Sequence, residues 1–152
     1  PAAELVFVTS DAQLLHFSAA AVRPQGRSGG GMTGIKLGVG ARVVYFGAVP
    51  PGEAEVVTVS GTSKALPGTD AGTVKVTPLA EYPGKGRATG GVRCHRFLKG
   101  EDTLLLAWVG PAPAWAAAAS GAPVDLPAPE GRRDGSGTPA GQPIAAVSSA
   151  GG

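Results

Sequence analysis

The sequence is poor in cysteine, histidine and aromatic residues. Among its 152 residues are one cysteine, two histidines and eight residues of Phe, Trp or Tyr. The single cysteine, Cys94, excludes an internal disulfide and favours a reducing compartment such as the cytoplasm. No apolar run is long enough to cross a bilayer, so we expect no membrane partner. Bulky apolar residues are few and are led by 16 valines. Valine favours strands, and 25 glycines with 14 prolines disfavour long helices, which predicts an all-β domain.

The sequence also lacks the usual motifs of metal-binding, dinucleotide-binding and catalytic sites. Cys94, His95 and His16 are too few for a metal site, which takes three or four ligands. The glycine-rich residues 29–34 match a dinucleotide-binding spacing, but a strand-like sequence follows them where a helix is required. The histidines and scattered carboxylates form no nucleophile–base pattern. We therefore expect no catalytic residue, no metal and no cofactor in this chain.

The charge is unevenly distributed, although the net charge is only +2. No acidic residue lies between Asp11 and Glu53, and none lies between Glu81 and Glu101. Basic residues spaced along acid-free tracts suit a polyanion backbone, although surface charge also serves solubility. The candidate contacts in the two tracts are Arg23, Arg27, Lys36, Arg42, Lys85, Arg87, Arg93, Arg96 and Lys99.

An internal repeat organises the chain. Residues 26–32 align with residues 86–92 at an offset of sixty positions, and the same register places Gly40 on Gly100. Each copy predicts four short antiparallel strands, an arrangement typical of propeller-like arrays. The predicted strands cover residues 5–9, 13–18, 31–37 and 42–48 in the first copy, and residues 55–60, 73–79, 90–98 and 103–109 in the second.

The repeat predicts a division into two blades and part of a third. Blade one covers residues 1–50, and blade two covers 51–110 with an insertion near 61–72. A partial closing blade, rich in Ala, Pro and Gly, covers 111–148, and 149–152 form a frayed tail. In the closing part, residues 116–119 could form one helical turn, and an edge strand is expected within 139–147. The chain begins at Pro1, so we expect it to be a piece of a larger protein.

The glycine–arginine loops admit two interpretations. Glycines allow tight turns and let backbone amides approach a phosphate closely. Arg27 and Arg87 occupy equivalent loop positions, where each either contacts a ligand or ties the loop to its own blade. Arg42, Lys85, Arg93 and Lys99 are expected to face solvent.

These residues resemble a known family. Val-Phe-Val-Thr-Ser-Asp at 6–11, Arg-Pro-Gln-Gly-Arg at 23–27 and Gly-Ile-Lys-Leu at 34–37 resemble one blade of the C-terminal domain of bacterial type IIA topoisomerase A subunits, those of DNA gyrase and topoisomerase IV. Residues 82–92 and 97–102 resemble the next blade. The resemblance implies a β-pinwheel, a propeller-like ring in which neighbouring blades exchange a strand and DNA bends around a basic outer rim.

The resemblance therefore implies a function. We hypothesise a non-catalytic, sequence-nonspecific module that binds and bends double-stranded DNA through the nine basic residues. Its partners would be the topoisomerase catalytic core in the A subunit, together with the B subunit. ATP and magnesium would act in those parts of a bacterial, cytoplasmic, nucleoid-associated enzyme. The basic box of gyrase A subunits is absent, and the divergent second blade with its Ala- and Pro-rich ending favours topoisomerase IV.

Two other classes of function stay open from the sequence. The chain could be a protein–protein docking module without DNA binding of its own. It could also be a small enzyme, which a deep pocket holding His16 or His95 with a carboxylate would support.

Overall fold

The computed structural model describes residues 3–21, 37–66, 69–84 and 90–150, and these residues form strands and short 3₁₀ turns. The 3₁₀ turns cover Ala19–Ala21 and Leu79–Glu81. The strands in chain order are β1 (Glu4–Thr9), β2 (Gln13–Ser18), β3 (Val43–Val49), β4 (Ala54–Gly61), β5 (Thr73–Pro78), β6 (Val92–Arg93), β7 (Thr103–Pro111), β8 (Ala114–Ala117), β9 (Pro123–Val124), β10 (Thr138–Pro139) and β11 (Ala146–Ser149).

The strands form three antiparallel sheets. The first sheet has the order β3-β1-β2-β6, the second β10-β5-β4-β7, and the third β11-β8-β9. Two four-stranded blades and a smaller third sheet confirm the predicted all-β, propeller-like architecture. The predicted domain boundaries at residues 50 and 110 stay a prediction.

Strand β4 is the centre of the described fold because it is covered on both faces. Val57 and Val59 point to one face and pack with Val74 and Val76 of β5. Val56 points to the other face, into a core shared with the first sheet. Strands buried on both faces read as nearly continuous β-branched runs, as residues 56–59 do.

Each four-stranded sheet takes one strand from further along the chain. Strand β6 pairs with β2, placing Arg93 opposite Gln13 and Val92 opposite Leu14. Strand β10 pairs with β5 in the same manner, placing Thr138 opposite Val74. The blades are therefore linked by exchanged strands, in agreement with the expected pinwheel.

The exchange explains one wrong boundary. The repeat predicts a nine-residue strand over 90–98 in the second blade, but the observed strand is only Val92–Arg93 and lies in the first sheet. After Arg93 the chain leaves the first sheet, and the amide of Arg96 donates to the carbonyl of Gly135 at 2.9 Å. Because the segment leaves the first sheet after Arg93, its backbone cannot continue the hydrogen bonds to β2.

The closing part also differs from expectation. Residues 114–117 form strand β8 rather than a helical turn, because they pair with β11 on one side and with β9 on the other. The final edge strand is β11, slightly later than the predicted 139–147. Most of the third predicted strand of the first copy, residues 31–36, lies outside the described residues.

Gly91 allows the chain to enter the exchanged strand. Its φ is +76°, and a Cβ atom there would lie 2.5 Å from the carbonyl oxygen of Leu14. The left-handed conformation alone costs a residue with a side chain about 1–2 kcal/mol. The overlap with the Leu14 carbonyl adds to this cost, so Gly91 is required where β6 meets β2.

We predict that Gly91→Ala lowers the free energy of unfolding by about 2 kcal/mol or more, through backbone strain and overlap. The measurement is a urea denaturation series. Gly90→Ala is the matched control, because a Cβ atom at Gly90 would have no neighbour within 4 Å and the φ of Gly90 is not left-handed. This control should stay within about 0.5 kcal/mol of the parent chain. Equal losses in the two variants would contradict this account.

Candidate nucleic-acid interface

Four of the nine predicted contact residues lie in the described part of the chain, and all four are exposed: Arg42, Arg93, Arg96 and Lys99. The other five, Arg23, Arg27, Lys36, Lys85 and Arg87, lie outside the described residues. The expectation that Arg42, Arg93 and Lys99 face solvent is therefore confirmed, and Arg96 is exposed as well. Which of them touch a ligand stays a prediction.

Three of the exposed basic residues lie on one short segment between the first two sheets, residues 92–99, which we call the crossing segment. Its backbone is bonded to both sides: the amide of Cys94 donates to the carbonyl of Ala12 at 2.9 Å, and the amide of Arg96 donates to Gly135. Cys94 and His95 point inward and are buried, while Arg93 and Arg96 point outward. The segment holds its positive side chains by fixing the backbone beneath them.

Arg42 lies at the other edge of the first sheet. It directly precedes β3, and its carbonyl accepts from the amide of Ser10 at 2.8 Å while its own amide donates to the Ser10 hydroxyl at 3.0 Å. Strand β3 and strand β6 are separated by two strands, so about 14 Å lies between these edges at ordinary strand spacing. Arg42 and Arg93 therefore lie at opposite edges of the first sheet.

Lys99 occupies the corner of a tight turn. The amide of Glu101 donates to the carbonyl of Leu98 at 2.9 Å, and Gly100 has a φ of +92°. A positive φ at the third residue defines a type II turn, and glycine is the residue that adopts it freely. The turn presents Lys99 to solvent.

A buried polar network lies behind this turn. Nδ1 of His95 is 2.8 Å from the Thr58 hydroxyl, and Nε2 is 2.9 Å from the Ser60 hydroxyl. The Ser60 hydroxyl is 2.6 Å from that of Thr73, which donates to Oε2 of Glu101 at 2.9 Å. The sequence predicts a strand over 90–98 that includes His95 but gives no sign of this network, because the partners of His95 come from β4 and β5.

The direction of these hydrogen bonds assigns the protonation of His95. An ionised carboxylate only accepts, so Thr73 donates to Glu101, Ser60 donates to Thr73, and Nε2–H of His95 donates to Ser60. Nδ1 is then free of a proton and accepts from Thr58. The ring is neutral in this arrangement, and burial lowers its pKa to about 4.

Lys75 is a second polar residue that the sequence did not single out. It is buried on the same face of β5 as Thr73. Its Nζ donates to the Thr77 hydroxyl at 2.9 Å, to the Cys94 carbonyl at 3.3 Å and to the Arg133 carbonyl at 2.7 Å. Burial lowers its pKa to about 8. Lys75 therefore ties the crossing segment to the closing part of the chain and is not available to a surface ligand.

His16 lies against a cavity of about 650 Å³ that Glu53, Glu55 and Tyr82 also line. Its Nδ1 is 2.7 Å from Oε1 of Glu4, and its Nε2 is 2.7 Å from the Tyr82 carbonyl oxygen. Both ring nitrogens of His16 are thus within hydrogen-bonding distance of other residues of the fold. The pairing connects β1, β2 and the turn that ends at Tyr82.

Residues 22–36 and 85–89 of the sequence carry five of the thirteen basic residues and none of the eleven acidic ones. In the described ranges no group of three His, Cys, Asp or Glu residues is placed to hold a metal ion. Nor does that part of the chain contain a helix with the length and hydropathy to span a bilayer.

Successive antiparallel blades that share exchanged strands define the protein class as a propeller-type β module. The family model described as "DNA gyrase C-terminal domain, beta-propeller" matches residues 3–50 and 68–105. The chain belongs to this family. The resemblance stated from sequence alone is thereby confirmed.

Individual relatives agree with this membership. The chain is 38% identical to topoisomerase subunit TopoM of Mycolicibacterium smegmatis over 104 residues, which are 68% of the chain and 13% of that protein. It is 44% identical to the A subunit of DNA gyrase from Aeromonas salmonicida over 72 residues, 47% of the chain and 7% of that protein. The chain thus spans only a small part of these relatives.

A solved structure, the C-terminal domain of DNA topoisomerase IV, has the same fold. It superposes with a TM-score of 0.69 at 20% identity, and the match covers 97% of the chain and 46% of that structure. At this identity the likeness concerns the fold. Whether the chain is closer to gyrase or to topoisomerase IV stays a prediction.

The neutral, buried state of His95 predicts a dependence of stability on pH. The unfolded histidine binds a proton near pH 6.5, whereas the folded one binds it only near pH 4. The unfolded state therefore takes up more protons between these values, and the free energy of unfolding falls as the pH is lowered from 6.5 to 4, by about 3 kcal/mol from His95.

The check is a set of urea denaturation series between pH 7 and pH 4.5, compared with His95→Gln. The variant lacks this titration but keeps all other groups, so its stability should fall less steeply over that range. Parallel pH profiles for the two proteins would show that His95 does not stay neutral in the fold.

Proposed function

We propose that this chain is a non-catalytic module that binds and bends double-stranded DNA without sequence preference, within the A subunit of a type II topoisomerase. In that setting it would steer duplex DNA for ATP-dependent strand passage. The observation that carries the proposal is the set of exposed basic residues on the crossing segment, in a member of the gyrase C-terminal domain family.

The position of these basic residues supports contact with the DNA backbone rather than recognition of nucleobases. Arg93, Arg96 and Lys99 follow one another on a segment whose backbone is bonded to structure on both sides. Phosphate contacts fix a protein on the duplex but carry no sequence information. The described residues form strands and three-residue 3₁₀ turns and contain no helix that could enter a groove, so selection would depend on the shape of the DNA.

The acid-free tracts add to this support. Within these tracts, residues 22–36 and 85–89 contribute five basic and no acidic side chains. Smooth bending of a duplex site costs about 1–6 kcal/mol, which phosphate contacts must offset. Nine basic residues would suffice if most of them face one rim.

The remaining chemistry would belong to other parts of the enzyme. We place DNA cleavage and ATP hydrolysis with magnesium in the catalytic core of the A subunit plus the B subunit, with which this module would associate. The setting would be the bacterial cytoplasm, at the nucleoid. Topoisomerase IV is our preferred parent over gyrase, on the divergent second repeat.

The test is the affinity for a duplex measured over a series of salt concentrations. Each neutralised phosphate contributes about 0.9 to the slope of log K against log salt. We predict a clearly negative slope for the parent chain and a slope smaller in magnitude by about 0.9 for Arg93→Ala. Two duplexes of equal length and different sequence should give similar affinities.

Arg93→Lys is the control for this experiment, since it keeps the charge and should keep most of the slope. A parent slope near zero would overturn the proposal. If Lys85→Glu with Arg93→Glu instead left DNA affinity unchanged and impaired association with the catalytic core, the chain would be a docking module.

A further inference from the structure

The turn that presents Lys99 is braced from inside the fold by Glu101. Oε1 of Glu101 accepts from the amide of Leu98 at 2.8 Å, and Oε2 accepts from the Thr73 hydroxyl at 2.9 Å. One carboxylate therefore closes the turn on one side and anchors it to β5 on the other. The Leu98 amide, which the turn leaves without a backbone partner, is satisfied by this side chain.

The anchor extends into the interior. Thr73 is the last hydroxyl in the chain of hydrogen bonds that begins at Thr58 and passes through His95 and Ser60. The members of this network are buried, and each hydroxyl and ring nitrogen has a hydrogen-bond partner. The hydrogen bonds of the network therefore have one direction and one geometry. Glu101 therefore connects an exposed lysine to a rigid buried network.

The first repeat contains the same turn without the brace. The amide of Ala41 donates to the carbonyl of Gly38 at 3.1 Å, and Gly40 has a φ of +77°. At the sixty-residue offset, Val39 stands in the place of Lys99 and Ala41 in the place of Glu101. Val39 is fully exposed, so the corner faces solvent in both repeats. The basic corner and the bracing carboxylate occur together in the second repeat and are both absent from the first.

We propose that Glu101 is a positioning residue, which holds Lys99 in place to contact a phosphate of the DNA backbone. This inference rests on the proposed function. An exposed lysine on a loose turn loses side-chain and backbone freedom when it binds, whereas a braced turn has given up the backbone part of that freedom beforehand. An acidic residue would then favour the binding of a polyanion.

This consequence separates positioning from plain electrostatics. Glu101 repels DNA as any surface carboxylate does, so electrostatics alone predicts that its removal tightens binding. Positioning predicts the opposite. We expect Glu101→Ala to weaken duplex binding by about fivefold to tenfold at 0.1 M salt, and to reduce the magnitude of the salt slope by about 0.9, as Lys99→Ala does.

Three further variants complete the experiment. Lys99→Ala in the Glu101→Ala background should cause little additional loss, because the two residues act through one contact. Thr73→Val removes the hydroxyl that holds Glu101 and should also weaken binding, whereas Thr73→Ser keeps it and should restore the parent affinity. Glu53→Ala is the charge-matched control; it lies before the start of β4, at the opposite end from Glu101, and should leave binding unchanged or tighten it.

The folded state is followed separately. The amide of Leu98 should lose hydrogen-exchange protection in Glu101→Ala, while thermal unfolding remains cooperative. If that variant does not fold, the pair Thr73→Val and Thr73→Ser answers the same question. The inference is overturned if Glu101→Ala behaves like Glu53→Ala, or if Lys99→Ala leaves the slope unchanged while the parent chain binds DNA. A parent chain that does not bind DNA at all overturns the proposed function, and the inference with it.

Discussion

The crossing of one short segment from the first sheet to the second is the constraint on which the rest of the structure depends. Strand β6 completes the first sheet beside β2, and three residues later the backbone is bonded to Gly135 in the closing part of the chain. Between these points Arg93 and Arg96 face solvent, while Cys94 and His95 face the interior. The candidate interface and part of the core are therefore fixed by the same short segment.

The space between the first two sheets is partly polar, unlike the space on the other side of β4. Val57 and Val59 face an apolar cluster that includes Trp108, Ile144 and Val147. On the opposite face, hydroxyl groups of β4 and β5 together with Lys75 meet His95 and the backbone of the crossing segment. Buried polar groups are tolerated when they are hydrogen-bonded, and they then favour one arrangement over alternatives of similar packing. This difference suits a region between two sheets that must hold an exchanged strand in one register.

The same region decides which positive charges are available to a ligand. Lys75 is as basic in the sequence as Lys99, yet one is enclosed by carbonyl and hydroxyl oxygens and the other stands at the corner of a turn. The surface electrostatics of the chain therefore follow from the strand exchange and not from the count of basic residues alone.

The repeat, the four-stranded blades and most strand positions follow from the sequence, because valine-rich alternation and recurring glycines are local signals that survive without tertiary information. The exposure of Arg42, Arg93 and Lys99 was also predictable, because charged side chains are costly to bury. The sharing of β6 and β10 between blades was expected only by resemblance, since hydrogen-bond partners far apart in sequence leave no local pattern. The interior role of Lys75 and the hydrogen bonds of His95 were decided by the tertiary structure, because a side chain becomes buried only when separate strands close around it.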